Sequence, residues 1–224
     1  MDFPERLSQG YRNFLTNRLP EEQHRFKELA TRGQKPEIMV IGCCDSRVAP
    51  EAIFDAAPGE LFVARNVANL VPPYSPDGAT RAVSASLEFA VQALRVKHIV
   101  VLGHAQCGGI AAHANNIEPL SPGDFIGNWM KLIEPAVQGM PRRAHNESER
   151  DYLTRLEKAS VLLTIKNLMT FPCVNILVGR GKLKLHGAYF GVAEGDLLVY
   201  DETAKDFVPV AKAEHAAAVA APRF

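Results

Sequence analysis

The chain's 224 residues are 47% hydrophobic, 22% charged and 8% aromatic, the make-up of a globular chain long enough to bury roughly 70% of its unfolded surface. Its 25 basic and 25 acidic side chains cancel, which argues against a nucleic-acid surface or a polybasic membrane contact and removes one barrier to self-association. No apolar run approaches the length of a membrane span, about 18 residues, and four cysteines are too few for a disulfide scaffold.

Residues 1–14 carry acidic side chains and no apolar stretch of signal-peptide length, so no secretory signal is expected and a reducing, cytoplasmic setting is the default. Residues 1–33 read as an amphipathic helical arm. Pro20-Glu21-Glu22 restarts a helix, with acids at the positive end of its dipole, and Gly33 stops it. Residues 37–42 are a strand-length apolar run bounded by Pro36 and Gly42, and 61–63 are a second strand candidate after the Pro58-Gly59 turn. Residues 71–78 form a loop, and 79–94 are helical, with Val83, Leu87, Ala90, Val91 and Leu94 on one face. Residues 98–102 (HIVVL) are a buried strand of the parallel-sheet kind, followed by a Gly-rich turn and an Ala-rich helix.

Further on, 119–123 read as a loop, 125–137 as a helix, 147–170 as a long helical region and 175–178 as a fourth strand. Residues 183–192 and 197–200 form a terminal hairpin, and an Ala-rich tail follows Ala213. Alternating strands and helices predict one α/β domain over 1–224: a mainly parallel sheet flanked by helices, with a C-terminal antiparallel hairpin.

Chemistry-bearing residues collect just past two strand ends, where open α/β sheets form their crevices. Cys43, Asp45 and Arg47 follow the first strand, and His104 and Cys107 follow the third candidate. If those strands are neighbours, two thiols and one imidazole converge. That is a zinc ligand set with an open fourth position, and the helix after Cys107 favours its thiolate. Each element alone has a plain reading: a lone Cys after a strand is usually packing, and an isolated H-x-x-C is weak. Their conjunction favours a site. A Cys43–Cys44 disulfide is strained, so Cys44 reads as packing. Cys173, His24, His145, His186 and His215 read as non-functional. The 103–109 turn lacks the spacing of a phosphate loop. Two thiolates cancel the charge of Zn²⁺, so the activity should strengthen toward alkaline pH. Asp45 has two conceivable states: held by the planar fork of Arg47, or released to close the fourth zinc position.

At these residues the chain resembles the β-class carbonic anhydrases. Their C-x-D-S-R and H-x-x-C signatures stand here as Cys43-Cys44-Asp45-Ser46-Arg47 and His104-Ala105-Gln106-Cys107. Pro58-Gly59-Glu60, Arg65-Asn66-Val67-Ala68-Asn69 and Gly108-Gly109-Ile110 match family segments too, and the likeness runs from about 25 to 200. The resemblance implies one Zn²⁺ per chain on Cys43, His104 and Cys107, an Asp45–Arg47 dyad, and reversible hydration of CO₂ to bicarbonate and a proton by zinc-bound hydroxide. Of the family's two active-site patterns it is similar to the open, plant-like one. Gln34, Phe62, Val67 and Phe89 fall on the substrate pocket, with the Gly108 N–H beside them. The bicarbonate-inhibited pattern needs a Trp where Val40 stands and a Tyr where Phe190 stands, although Arg65 is present. The resemblance also implies a homodimer or higher homo-oligomer, with the arm of residues 1–33 wrapping a partner and the pocket near the interface. The stripe Phe3, Leu7, Tyr11, Phe14 and Leu15 suits that contact. His113 is a candidate proton relay, more simply read as a helix-surface residue. Carbonyl sulfide hydrolysis on the same fold is the nearest alternative, and a non-catalytic zinc-stabilised module the next.

Overall fold

The structure is a computed structural model that describes residues 3–115, 117 and 125–210. Helices α1 (Glu5–Asn13) and α2 (Leu19–Arg32) open it, joined by a π-turn at Phe14–Arg18, and Gly33 ends them with φ +76°. There follow β1 (Ile38–Cys43), α3 (Pro50–Ile53), β2 (Leu61–Asn66), α4 (Ala82–Glu88), β3 (His98–His104) and α5 (Gly108–Ala114). Then come α6 (Ile126–Met130), α7 (Glu134–Gly139), α8 (Glu149–Leu168), α9 (Pro172–Gly179), β4 (Lys184–Phe190), β5 (Leu197–Asp201) and β6 (Asp206–Pro209).

The six strands form one sheet in the order β2-β1-β3-β4-β5-β6. Pairs β1–β2, β1–β3 and β3–β4 are parallel, while β4–β5 and β5–β6 are antiparallel. The chain leaves β1 toward β2 on one side and returns to β3 on the other. The crevice past the carboxyl ends of β1 and β3 is therefore the switch point where such sheets place their sites.

Side-chain alternation sends Met39, Ile41, Ile99 and Val101 to one face of the sheet, where they join Leu87, Val161, Leu168 and Val174 from the helices in the main core. Helix α8 lies close against β3 and β4 because two strand residues have no side chain. A Cβ on Gly103 would meet Val161 Cγ2 at 2.5 Å, and one on Gly187 would meet Val161 and Ile165 at 3.1 Å. The opposite face carries Val40, Leu102 and Ala188, with Ile53 and Phe54 against them.

The expected fourth strand at 175–178 is instead part of α9. Pro172 sits at the helix's first turn with Phe171 as its N-cap, and a short apolar run does not distinguish strand from buried helix by periodicity. The fourth parallel strand is β4, which pairs with β3 and also forms the expected hairpin with β5. The helix expected over 125–137 is α6 and α7 joined by a 3₁₀ turn at Lys131–Ile133. Strand β6 has no counterpart in the sequence reading. The loop read at 119–123 and the tail after Ala213 lie outside the described residues. No single helix among the described residues is long and apolar enough to cross a membrane.

The arm stands off the core. Helices α1 and α2 contain no buried residue; Phe3, Leu7 and Tyr11 are more than half exposed, and Arg25 ties α2 down through Glu60 at 3.2 Å.

Candidate metal centre

Cys43 is the last residue of β1 and His104 the last of β3, one rung further on, so strand pairing alone brings them together. Cys107 follows across a tight turn in which Gln106 takes φ +59°. The ligand atoms of the three residues lie within 4.8 Å of one another, and all three side chains are buried. Among the described residues no other group of three His, Cys, Asp or Glu donors comes together in this way.

The imidazole is already oriented. His104 Nδ1 lies 2.9 Å from the Ala105 carbonyl oxygen, which only accepts, so Nδ1 carries the proton and Nε2 keeps its lone pair. Nε2 is buried and makes no hydrogen bond. An orphaned buried acceptor is rare unless something else binds there, and two adjacent sulfurs make the donor set one that fits Zn²⁺.

The backbone supports both sulfurs. Ala68 and Asn69 take the left-handed conformation, φ +64° and +49°, which turns the Ala68 N–H onto Cys43 Sγ at 3.3 Å. The Asn66 side chain locks that turn, accepting from Leu70 N–H at 2.8 Å and donating to the Leu70 carbonyl at 2.9 Å. Hydrogen bonding from Cys107, opposed by burial and helped by the Ala68 N–H, pulls the Cys43 thiol from 9.0 down to about 4. Cys107 is pushed up by that same hydrogen bond to Cys43 and by burial, against the N–H groups of Ile110 and Gly109 at the start of α5.

Asp45 and Arg47 form the expected dyad. Arg47 Nε and Nη2 donate to the two carboxylate oxygens at 2.9 and 2.7 Å, and the Arg47 N–H adds a third bond at 3.0 Å. The guanidinium holds the Asp45 carboxyl well below the usual carboxylate range. Arg47 also reaches the Gln106 carbonyl at 3.0 Å, tying the two strand-end loops together. Arg65, known from sequence only as a family position, is a staple: its Nε and Nη2 donate to the carbonyls of Cys43 and Asp45 at 2.8 and 2.7 Å.

Of the pocket residues, Val67 and Gly108 stand at these strand ends. A Cβ on Gly109 would meet Val67 Cγ1 at 2.8 Å, and none of the surroundings lies within 4 Å of a Cβ on Gly108. A cavity of about 1170 Å³ opens beside Asn66 and Val67, walled by Arg65, Val83, Ile126 and Trp129. Gln34, Phe62 and Phe89 do not join them. Gln34 precedes β1, whose other end carries Cys43. Phe62 is paired in register with Met39, four residues and so about 13 Å from the Cys43 rung. Phe89 stacks on Phe62, ring centroids 5.9 Å apart, and is half exposed. His113 faces Glu134, with Nε2 and Oε2 at 3.2 Å. Cys44 is exposed rather than packed.

The sequence reading missed Glu157. It is 1% exposed and touches the backbone of Cys107. The signal was a carboxylate on the apolar face of α8, among Leu153, Leu156, Ser160, Val161 and Thr164.

Residues 38–197 match the family model described as carbonic anhydrase. The chain is 37% identical over 203 residues to a carbonic anhydrase of Pseudomonas aeruginosa, a match covering 91% of this chain and 90% of that one. It is similar to the solved structure of the beta-carbonic anhydrase CcaA, with a TM-score of 0.84 and 32% identity over 92% of this chain and 98% of the other. A tetrameric beta-carbonic anhydrase of Sordaria macrospora is also similar, with a TM-score of 0.71 and 28% identity over 87% of this chain and 95% of its own.

Proposed function

The chain belongs to the β-carbonic anhydrase family, and on that footing we propose that it hydrates CO₂ reversibly to bicarbonate and a proton. One Zn²⁺ per chain is held by Cys43 Sγ, His104 Nε2 and Cys107 Sγ. The observation that carries the assignment is the convergence of these three donors within 4.8 Å, with His104 Nε2 buried and unpartnered.

Zinc, when bound, supplies the Lewis acidity that acidifies water. The chain's own residues do the rest. Cys43 and Cys107 would hold the ion as thiolates, so its uptake would release thiol protons. Asp45, kept ionised by Arg47, is an acceptor only; it takes a hydrogen bond from an incoming water and turns that oxygen's lone pair toward CO₂. CO₂ is apolar and linear, so it needs a wall such as Val67 rather than a charged anchor. The Gly108 N–H, at the start of α5 next to Cys107, would donate to an oxygen of the product. The closed Asp45–Arg47 pair supports the state in which Asp45 stays off the metal.

A homo-oligomer is part of this reading. The exposed stripe of Phe3, just before α1, and Leu7 and Tyr11 on that helix, which has no buried residue, supports it, as does the tetrameric relative. Gln34, Phe62 and Phe89 serve a substrate pocket only if a second copy brings them to one, because within one chain they lie off the site. The cytoplasmic setting belongs to the proposal as well: both sulfur ligands must stay reduced, and all four cysteines are free thiols.

Stopped-flow measurement of CO₂ hydration on zinc-loaded protein, set beside carbonyl sulfide hydrolysis by the same sample, tests the assignment. CO₂ is expected to be the faster substrate by far. A rate on carbonyl sulfide well above that on CO₂ would transfer the assignment to that gas.

A further inference from the structure

Glu157 sits mid-way along α8 with 1% of its surface exposed. A carboxylate at that depth is tolerated only with its oxygens fully partnered. Four donors meet it. The Cys107 N–H reaches Oε1 at 3.2 Å, Arg150 Nη1 and Nη2 reach Oε1 and Oε2 at 3.3 Å each, and the Tyr189 hydroxyl donates to Oε2 at 2.6 Å. A carboxylate, which only accepts, satisfies all four. A glutamine at the same place would turn amide hydrogens toward Arg150 or Tyr189.

The location gives the arrangement its meaning. Cys107 is the N-cap of α5, so its own N–H has no partner within that helix. In a capping box the acidic side chain at the third helical position reaches back to it, but that position here is Ile110. The missing acceptor arrives from α8 instead. At its other oxygen, Glu157 holds Tyr189, which pairs in register with Gly103, the residue before His104. One buried carboxylate thus ties the Cys107 end of the turn directly to Tyr189 on β4, the strand that pairs with β3 at Gly103, with the half-exposed Arg150 closing it toward solvent.

We propose that Glu157 is a positioning residue for the metal centre: by fixing the Cys107 backbone against β4, it sets where that sulfur lies relative to Cys43 and His104. It is the counterpart, on this ligand, of the Ala68 N–H on Cys43. The proposal rests on the assignment of Cys43, His104 and Cys107 as zinc ligands.

The test compares wild type, Glu157→Gln and Tyr189→Phe as full chains loaded with Zn²⁺ and, separately, with Co²⁺. It reads the rate at which a chelator strips zinc and the thiolate-to-cobalt charge-transfer band. Glu157→Gln is expected to release zinc about 10–100-fold faster, the usual effect of losing an outer partner of a metal ligand, and to shift the band. Tyr189→Phe moves both in the same direction by less. A purely structural role would lower the melting temperature and leave the band in place. Folded Glu157→Gln protein with wild-type release and band overturns the proposal. If that variant does not fold, Tyr189→Phe decides: faster release supports the proposal, and unchanged release with an unchanged band overturns it. Wild-type protein that holds no stoichiometric zinc overturns the ligand assignment as well, a result distinct from either variant's.

Discussion

Gly103→Ala probes the link between fold and site most sharply, because it adds a single methyl where β3 meets α8. The new Cβ would lie 2.5 Å from Val161 Cγ2, whereas carbon pairs settle at about 3.5–4.0 Å. Relief of about 1 Å is therefore required. Val161 is fully buried and β-branched, so it has no other rotamer of similar energy to retreat into, and α8 must move. Overpacking of this kind destabilises by about 1–3 kcal/mol, and an overlap this deep lies toward the upper end. Restricting the unfolded chain returns about 0.4–1 kcal/mol. The net loss of about 1–2 kcal/mol corresponds to a melting temperature about 2–8 °C lower for a chain of this size. Differential scanning calorimetry at fixed protein and zinc concentrations reads it. Adding Val161→Ala makes room for the new methyl, so the double variant should be less destabilised than the two singles summed. An unchanged melting temperature, or additivity within about 0.5 kcal/mol, would refute the close approach of α8 to β3.

Two further perturbations test other parts of the account. Asp45→Asn removes the charge that Arg47 holds and is expected to lower turnover about a hundred-fold or more with zinc content near normal; an unchanged pH–rate profile would remove Asp45 from the mechanism. His186 lies 3.0 Å from His98, and burial, with His98 and Lys184 nearby, holds its imidazole below 6.5. Just under that pH the unfolded chain binds more protons than the folded one, so stability rises with pH through this window and is lost on the acid side. Urea unfolding of His186→Gln should show stability rising less steeply with pH on the acid side of 6.5 than in wild type, and equal slopes would contradict the shift.

The centre was legible in sequence because its parts are local to strand ends. Cys43, Asp45 and Arg47 follow one apolar run, His104 and Cys107 follow another, and parallel pairing of those runs suffices to bring them together. Other features depend on long-range placement. The 175–178 run is apolar in either helix or sheet, and only the pairing of β4 with β3 decides between them. The left-handed Ala68 has no residue-level signal, since alanine rarely adopts that conformation. Glu157 was visible as a charge on a buried helix face, but its purpose emerges only once α5 and β4 arrive at its two oxygens. Gln34, Phe62 and Phe89 illustrate the converse: a family position locates a residue in the chain without placing it beside the site of that same chain.

X-ray absorption at the zinc edge reads the ligand shell itself. One zinc per chain is expected, with two sulfur neighbours at about 2.3 Å, one imidazole nitrogen and a light atom in the remaining place. Loss of one sulfur from that shell in Cys107→Ser would agree. A shell with four sulfurs, or with none, would contradict it.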